Sequence, residues 1–221
     1  MTSGAVVVSV AVLVTALVTA GLVRPLLHWL PEPEGEDKVA YRDLGSTRFV
    51  VGCALCSALA AGISWATLPA TLQPLWSVLA VGGVLLAAVD AGTTWLPLPL
   101  VQLTWAAMAV GVLAGGWLSG SWSLLLRAAT GAALAAGLYL LVWLASRGGF
   151  GFGDVRYAPL LGAAAAADSW PLLLSSLLAG TLLGAVHGTL RLLLRRRGSF
   201  PYAPAMLGGS YLAAVAQWLG S

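Results

Sequence analysis

Long runs of apolar residues, separated by short polar or glycine-rich connectors, extend along almost the whole chain. The run from Gly4 to Val23 is continuously apolar, whereas a strand of a transmembrane barrel alternates apolar and polar residues over about ten positions. A membrane-spanning helix needs about 20 apolar residues, and the pattern predicts eight segments of this kind. They cover residues 4–23, 49–68, 72–90, 99–118, 121–145, 154–168, 170–194 and 202–219. We therefore expect an all-α fold, a polytopic membrane helical bundle of about eight transmembrane segments.

The composition indicates that the bilayer, rather than water, is the solvent of this chain. Of the 221 residues, 59% are hydrophobic and 9% are charged, whereas soluble domains contain about 25% charged residues. The mean hydropathy is +0.91. These values exclude a soluble globular protein and an intrinsically disordered chain. The first apolar run has no basic region before it and is longer than the core of a signal peptide, so we expect it to be a retained span.

The basic residues predict the orientation of the bundle. With the amino terminus outside, ten of the eleven lysines and arginines fall in inner loops and only Arg127 faces the outside, in agreement with the positive-inside rule. The basic residues that set the orientation then account for the net charge of +3, and nucleic acid is not expected as a partner. Because the outer connectors are short, we predict a single domain, 1–221, whose largest polar segment is a cytoplasmic loop at about 24–48.

Two aspartates lie at the predicted boundaries of apolar segments. An ionisable group within a span costs about 2.5–3.5 kcal/mol on insertion scales and therefore needs a reason. Asp90 ends the third segment, and Asp154 opens the sixth after a glycine-rich stretch. Each acid alone could be a helix cap. Together, two carboxylates at one depth and 64 positions apart could meet across a helix interface and share one proton, as in aspartic proteases.

A carboxyl pair of this kind can hydrolyse a peptide bond without a covalent intermediate, a metal or another cofactor. One carboxylate accepts a proton from water while the protonated partner polarises the scissile carbonyl. Asp154 lies at a helix amino terminus, where the macrodipole favours an anion, and Asp90 lies at a carboxyl terminus, so Asp154 is predicted to be the resting base. Intramembrane acids also relay protons, and an ion-coupled membrane transporter is therefore the alternative function.

Other residues of types that can take part in catalysis or metal binding have structural interpretations. Gly151 and Gly153 precede the second acid; a phosphate loop needs a following Lys-Ser or Lys-Thr, so we interpret these glycines as allowing close backbone approach. His187 is interpreted as a buried, hydrogen-bonded histidine in a helix whose glycines, spaced by four, form a packing face. Cys53 and Cys56 form a single C-x-x-C motif, which cannot complete a zinc site by itself, and are interpreted as small apolar fillers.

Three motifs along the chain point to one family. The first is Val89-Asp90 followed by Thr94 and Leu96-Pro97, and the second is Gly151-Phe-Gly-Asp-Val-Arg-Tyr157. The third is Phe200-Pro-Tyr-Ala-Pro204. In order and spacing, over roughly residues 80–215, they resemble the acid–Thr–Leu-Pro, G-x-G-D-V-K-L and Pro-Phe-Gly-Pro segments of type IV prepilin peptidases. These are bacterial membrane aspartic endopeptidases that cut leader peptides from pilins and pseudopilins.

The resemblance implies a catalytic pair, Asp90 and Asp154. It also implies supporting residues in the active-site loops, namely Gly151, Gly153, Thr94 and Pro97. The expected substrate is a prepilin or pseudopilin with a short basic leader before a hydrophobic helix, cut at the cytoplasmic face of the bacterial inner membrane for a type IV pilus or type II secretion. The loop at 24–48 lacks the two C-x-x-C pairs of bifunctional members, so neither zinc nor S-adenosylmethionine is implied. A purely structural partner of a secretion machine is a third interpretation.

Overall fold

The computed structural model describes residues 2–32, 39–147, 150–195 and 200–220. Within these ranges the chain forms helices joined by short connectors and contains no strand. The α-helices are α1 Thr2–Trp29, α2 Thr47–Thr67, α3 Gln73–Val78, α4 Val84–Thr93, α5 Leu98–Ser119, α6 Trp122–Ala145, α7 Phe152–Asp168, α8 Trp170–Leu193 and α9 Ala203–Leu219. Short 3-10 turns cover Tyr41–Leu44 and Ala70–Leu72, and a π-helical segment, Leu79–Gly83, joins α3 to α4.

Local sequence signals set the helix ends. Ser46 and Ser169 cap α2 and α8, because their hydroxyl oxygens accept hydrogen bonds from the amides of Phe49 and Leu172 at 3.3 and 3.2 Å. Prolines occupy the first turns of α3, α5, α8 and α9, where the N–H group that proline lacks has no acceptor within the helix. Gly120 ends α5 with a φ of 61°, a left-handed conformation that glycine adopts without strain.

The helices lie where the apolar segments predict them, with one substantial difference. α1 ends at Trp29, six residues beyond the predicted end. Arg24 does not stop the helix, because its guanidinium extends to the connector and donates a hydrogen bond to the Gly45 carbonyl at 3.1 Å. The predicted loop at 24–48 is therefore too long at its beginning, and its residues 33–38 lie outside the described residues.

Six helices in the described part of the chain are long and apolar enough to cross a membrane. They are Gly4–Trp29, Thr47–Thr67, Ala70–Thr93, Leu98–Ser119, Trp122–Ala145 and Trp170–Leu193. Large apolar side chains such as Leu13, Leu141 and Leu174 are exposed on their outer surfaces, which indicates a multi-pass membrane protein. α7 and α9 are shorter, with 17 residues each. Six of the eight predicted spans therefore correspond to helices that are long and apolar enough to cross a membrane.

α7 is the central helix of the bundle. It packs against α5, α6, α8 and α9, and twelve of its 17 residues are buried. Gly131 and Gly162 lie at the α6–α7 contact, and Gly180 and Gly209 lie at the α8–α9 contact. A Cβ atom on any of the four would meet the partner helix. The carboxyl end of α4 and the amino ends of α7 and α9 meet at one end of the bundle.

Candidate active site

Asp90 and Asp154 come together at the end of the bundle where α4 ends and α7 begins. Asp90 is in the last turn of α4, and Asp154 is in the first turn of α7. Both residues are buried, with exposed fractions of 5% and 7%. The two carboxyls are close enough for their charges to interact, although 64 positions separate them along the chain. The two acids singled out by the sequence thus occupy one interhelical site.

The amino end of α9 holds Asp90. The Ala203 amide donates a hydrogen bond to Oδ2 of Asp90 at 3.0 Å, and the Tyr202 amide lies close to the same carboxyl. Amides at the start of a helix have no acceptor within the helix. Pro204, the next residue of α9, has no amide N–H group to donate. The helix-dipole argument that predicts Asp154 as the resting base counts only α4 at Asp90. It is incomplete, because the amino end of α9 acts on Asp90 in the opposite sense.

Gly151 and Gly153 leave space around the second acid. A Cβ atom at Gly151 would lie 3.0 Å from Oδ2 of Asp154. The Asp154 amide donates a hydrogen bond to the Gly151 carbonyl at 3.2 Å, so the first turn of α7 folds the carboxyl back over this glycine. A Cβ atom at Gly153 would lie 3.1 Å from the Cβ of Leu96. The predicted close approach to the second acid is therefore observed at Gly151, whereas Gly153 approaches the Leu96 side chain instead.

Thr94 and Pro97 belong to the turn between α4 and α5. Thr94 ends α4 with a φ of 58°, and its amide donates a hydrogen bond to the Asp90 carbonyl at 2.6 Å. A left-handed conformation costs a residue with a side chain about 1–2 kcal/mol, and such strain is frequent at functional sites. Pro97 leads into α5, and Leu96 packs against Gly153. The first and second sequence motifs therefore touch through this turn.

An aromatic cluster next to the site, which sequence reasoning missed, consists of Tyr139, Phe150, Phe200 and Tyr202. The Phe150 ring centroid lies 5.3 Å from that of Tyr202 and 5.8 Å from that of Tyr139, and Phe200 lies 5.9 Å from Tyr202. Aromatic contacts of this type contribute about 0.5–1.5 kcal/mol each. The cluster links the segment before α7 to the segment before α9, and aromatic residues beside both motifs are the signal that could have revealed it.

An apolar groove of about 760 Å³ lies beside Asp90, between α2, α4 and α9. Ala91 and Pro204, the chain neighbours of Asp90 and of its donor Ala203, are among the residues that line it. Leu59 and Leu212 also line the groove and are exposed on the outer surface of the bundle. The groove therefore reaches the chain neighbours of Asp90 and of Ala203 and is open on the outer, apolar surface of the bundle.

The structure agrees only in part with the sequence interpretations of His187 and the two cysteines. His187 is half-buried on α8, and its ring lies edge-on against Phe200 at 5.5 Å, so the prediction of a buried histidine is wrong. Gly184, one turn earlier, is covered by the aromatic cluster, which confirms the predicted packing face. Cys53 is buried as a filler residue, whereas Cys56 is exposed on the same helix, which corrects the interpretation of Cys56.

Two buried carboxyls within range of charge interaction, one of them oriented by a backbone amide, can hold one proton between them and exchange protons with a bound molecule. The three sequence motifs contribute the three segments that meet there. Searches for similar proteins add no identification: the chain matches no protein-family model, no curated protein and no solved structure.

Proposed function

We propose that this protein is a membrane aspartic endopeptidase of the type IV prepilin peptidase kind, which removes the short leader peptide from a prepilin or pseudopilin. The observation that carries the proposal is the meeting of Asp90 and Asp154 in one buried site. Hydrolysis by two carboxyls requires such a pair, since one acts as the base and the other as the acid. The lipid-facing groove beside Asp90 supports a substrate that is itself embedded in the membrane.

In the proposed reaction the two carboxyls begin with one proton between them. The ionised carboxylate accepts a proton from water as the water oxygen attacks the scissile carbonyl, and the protonated carboxyl donates its proton to the carbonyl oxygen. When the tetrahedral intermediate collapses, its hydroxyl returns a proton to one carboxylate, and the leaving amine takes the proton that the water gave up. The amide of Ala203 keeps Asp90 oriented through these steps.

The distribution of charge supports a cytoplasmic position for this site. In the described ranges, seven arginines lie near helix ends on the side of the acid pair, and Arg127 lies near the opposite end. The positive-inside rule then favours acids at the cytoplasmic face of a bacterial inner membrane, with the amino terminus outside. We include α7 and α9 among eight spans, because 17 residues is the lower end of the range of about 17–25 residues that suffices to cross a bilayer.

A cleavage assay in liposomes tests this function. The purified protein is reconstituted with a panel of prepilins that carry a short basic leader before a hydrophobic helix, and mass spectrometry reads the amino termini of the products. We expect one cut that releases the leader, and no proton flux through the same liposomes under an imposed pH gradient. Proton flux that depends on Asp90 or Asp154, without cleavage of any member of the panel, would contradict the peptidase and favour the ion-coupled transporter.

Replacing Gly151 with alanine is expected to slow cleavage about tenfold without unfolding the protein. Gly151 has a φ of −72° and a ψ of 131°, which alanine adopts without strain. The effect arises instead from the added Cβ atom, 3.0 Å from Oδ2 of Asp154, which displaces the carboxyl. The control is Gly21→Ala, whose Cβ atom meets nothing within 4 Å. Equal kcat values in the two variants, measured with one prepilin, would show that the space at Gly151 is unimportant.

A further inference from the structure

Tyr157 is a fully buried residue of α7, three positions after Asp154, and residues at this spacing share a helix face. Its hydroxyl group donates a hydrogen bond to the carbonyl oxygen of Gly83 at 3.0 Å. A buried phenol needs such a partner, because an unpaired hydroxyl in an apolar interior is costly. The bond extends from α7 to the continuous helical stretch that carries Asp90.

Gly83 ends the π-helical segment and lies seven residues before Asp90. Seven residues correspond to about two helical turns, or about 10 Å along the axis, so Gly83 and Asp90 lie on one face of the helix. The approach is close, since a Cβ atom at Gly83 would lie 3.4 Å from the Tyr157 hydroxyl oxygen. The Tyr157–Gly83 bond therefore crosses the same interface as the acid pair, about one turn from Asp154 along α7 and about two turns from Asp90 along its helix.

The Tyr157 phenol is also within electrostatic reach of the site itself, because the charges of Asp90 and Asp154 both act on it. Tyr211 of α9 is a second buried tyrosine in this region. Within the described part of the chain, however, the Tyr211 hydroxyl has no hydrogen-bond partner. Two buried tyrosines therefore differ in one respect. The hydroxyl of Tyr157 is hydrogen-bonded to the helix that carries Asp90, and the hydroxyl of Tyr211 is not.

We propose that Tyr157 is a positioning residue for the acid pair. Its hydrogen bond to Gly83 fixes α7 against the helix of Asp90, and thereby fixes the separation of the two carboxyls. This inference rests on the proposed peptidase function. The sharing of one proton between two carboxyls depends on their distance, and the observed titration belongs to the pair rather than to either acid. A small shift of α7 therefore changes both the rate and its dependence on pH.

Tyr157→Phe and Tyr211→Phe provide a matched test, because each removes one buried hydroxyl and keeps the ring. Both variants are reconstituted with a prepilin that the unchanged protein cleaves, and kcat, KM, the pH profile of kcat and thermal unfolding are measured. In Tyr157→Phe we expect kcat to fall about tenfold, KM to stay within about twofold, and the pH profile to move. In Tyr211→Phe, whose side chain lines the apolar groove, we expect any change to appear in KM, and the pH profile of kcat to stay that of the unchanged protein.

An unchanged kcat or an unchanged pH profile in Tyr157→Phe would overturn the positioning role. Equal changes in the two variants would overturn it as well, because they would reflect a general loss of packing. Asp90→Asn is measured in parallel to separate this inference from the function on which it rests. If Asp90→Asn is inactive and Tyr157→Phe behaves normally, only the positioning role fails; if Asp90→Asn cleaves at the normal rate, the peptidase proposal fails.

Discussion

Asp90→Asn and Asp154→Asn are each expected to lower the rate of leader removal by about 10²–10⁴-fold, while the protein still folds and inserts. Asparagine has nearly the shape of aspartate but cannot accept and return a proton as a carboxyl does. At position 90 the amide oxygen can still accept the hydrogen bond from the Ala203 amide, so the contact with α9 persists. Replacing one carboxyl of a buried pair by a neutral amide also lowers the cost of burying ionisable groups. We therefore expect lost activity without lost stability.

The matched control for both variants is Asp168→Asn. Asp168 lies on the same helix as Asp154 but at its opposite end, where Oδ2 accepts a hydrogen bond from Nε2 of Gln217 at 2.8 Å. We expect Asp168→Asn to cleave a prepilin at the rate of the unchanged protein. Initial rates in liposomes, normalised to the inserted protein, give the comparison. Cleavage at the normal rate by Asp90→Asn or Asp154→Asn would show that the acid pair does not carry the reaction.

The helical bundle could be predicted from sequence, because a long apolar run in a bilayer can satisfy its backbone hydrogen bonds only as a helix. The pattern of apolar residues places the end of α1 six residues too early, because it treats Arg24 as the start of a loop. A long basic side chain can instead remain on a helix and extend its charged group to a neighbouring connector, as Arg24 does towards Gly45. The π-helical segment Leu79–Gly83 has no marker in the pattern of apolar residues.

The acid pair could be found from sequence because a carboxyl at the edge of an apolar segment is costly and stands out. Its partners could not be found in this way. The Ala203 amide that binds Asp90 is a backbone group, and every residue except proline has one. The contact of Tyr157 with Gly83 joins positions 74 apart that have no local relation. Sequence thus identifies the costly groups, whereas the packing of distant helices determines what orients them.

Gly131→Val is expected to destabilise the α6–α7 contact by about 1–3 kcal/mol, the usual cost of overpacking. A Cβ atom at Gly131 would overlap Ala166 and lie 2.5 Å from the Gly162 carbonyl oxygen. The obstructing atoms belong to the backbone and the Cβ layer of a central helix, so no side-chain rotation can relieve the overlap. α7 must move as a unit, and Asp154 moves with it. We therefore expect lower thermal stability together with lower kcat.

Gly137→Val on the same helix is the control, because a Cβ atom there meets nothing within 4 Å. Both substitutions add the same β-branched side chain to α6 and so carry the same intrinsic helix propensity. The difference between them therefore measures the α6–α7 contact. Thermal unfolding in detergent and the rate of prepilin cleavage are recorded for both. Equal unfolding temperatures would contradict the close helix contact at Gly131, whereas a lower temperature with normal kcat would show that the position of Asp154 tolerates movement of α7.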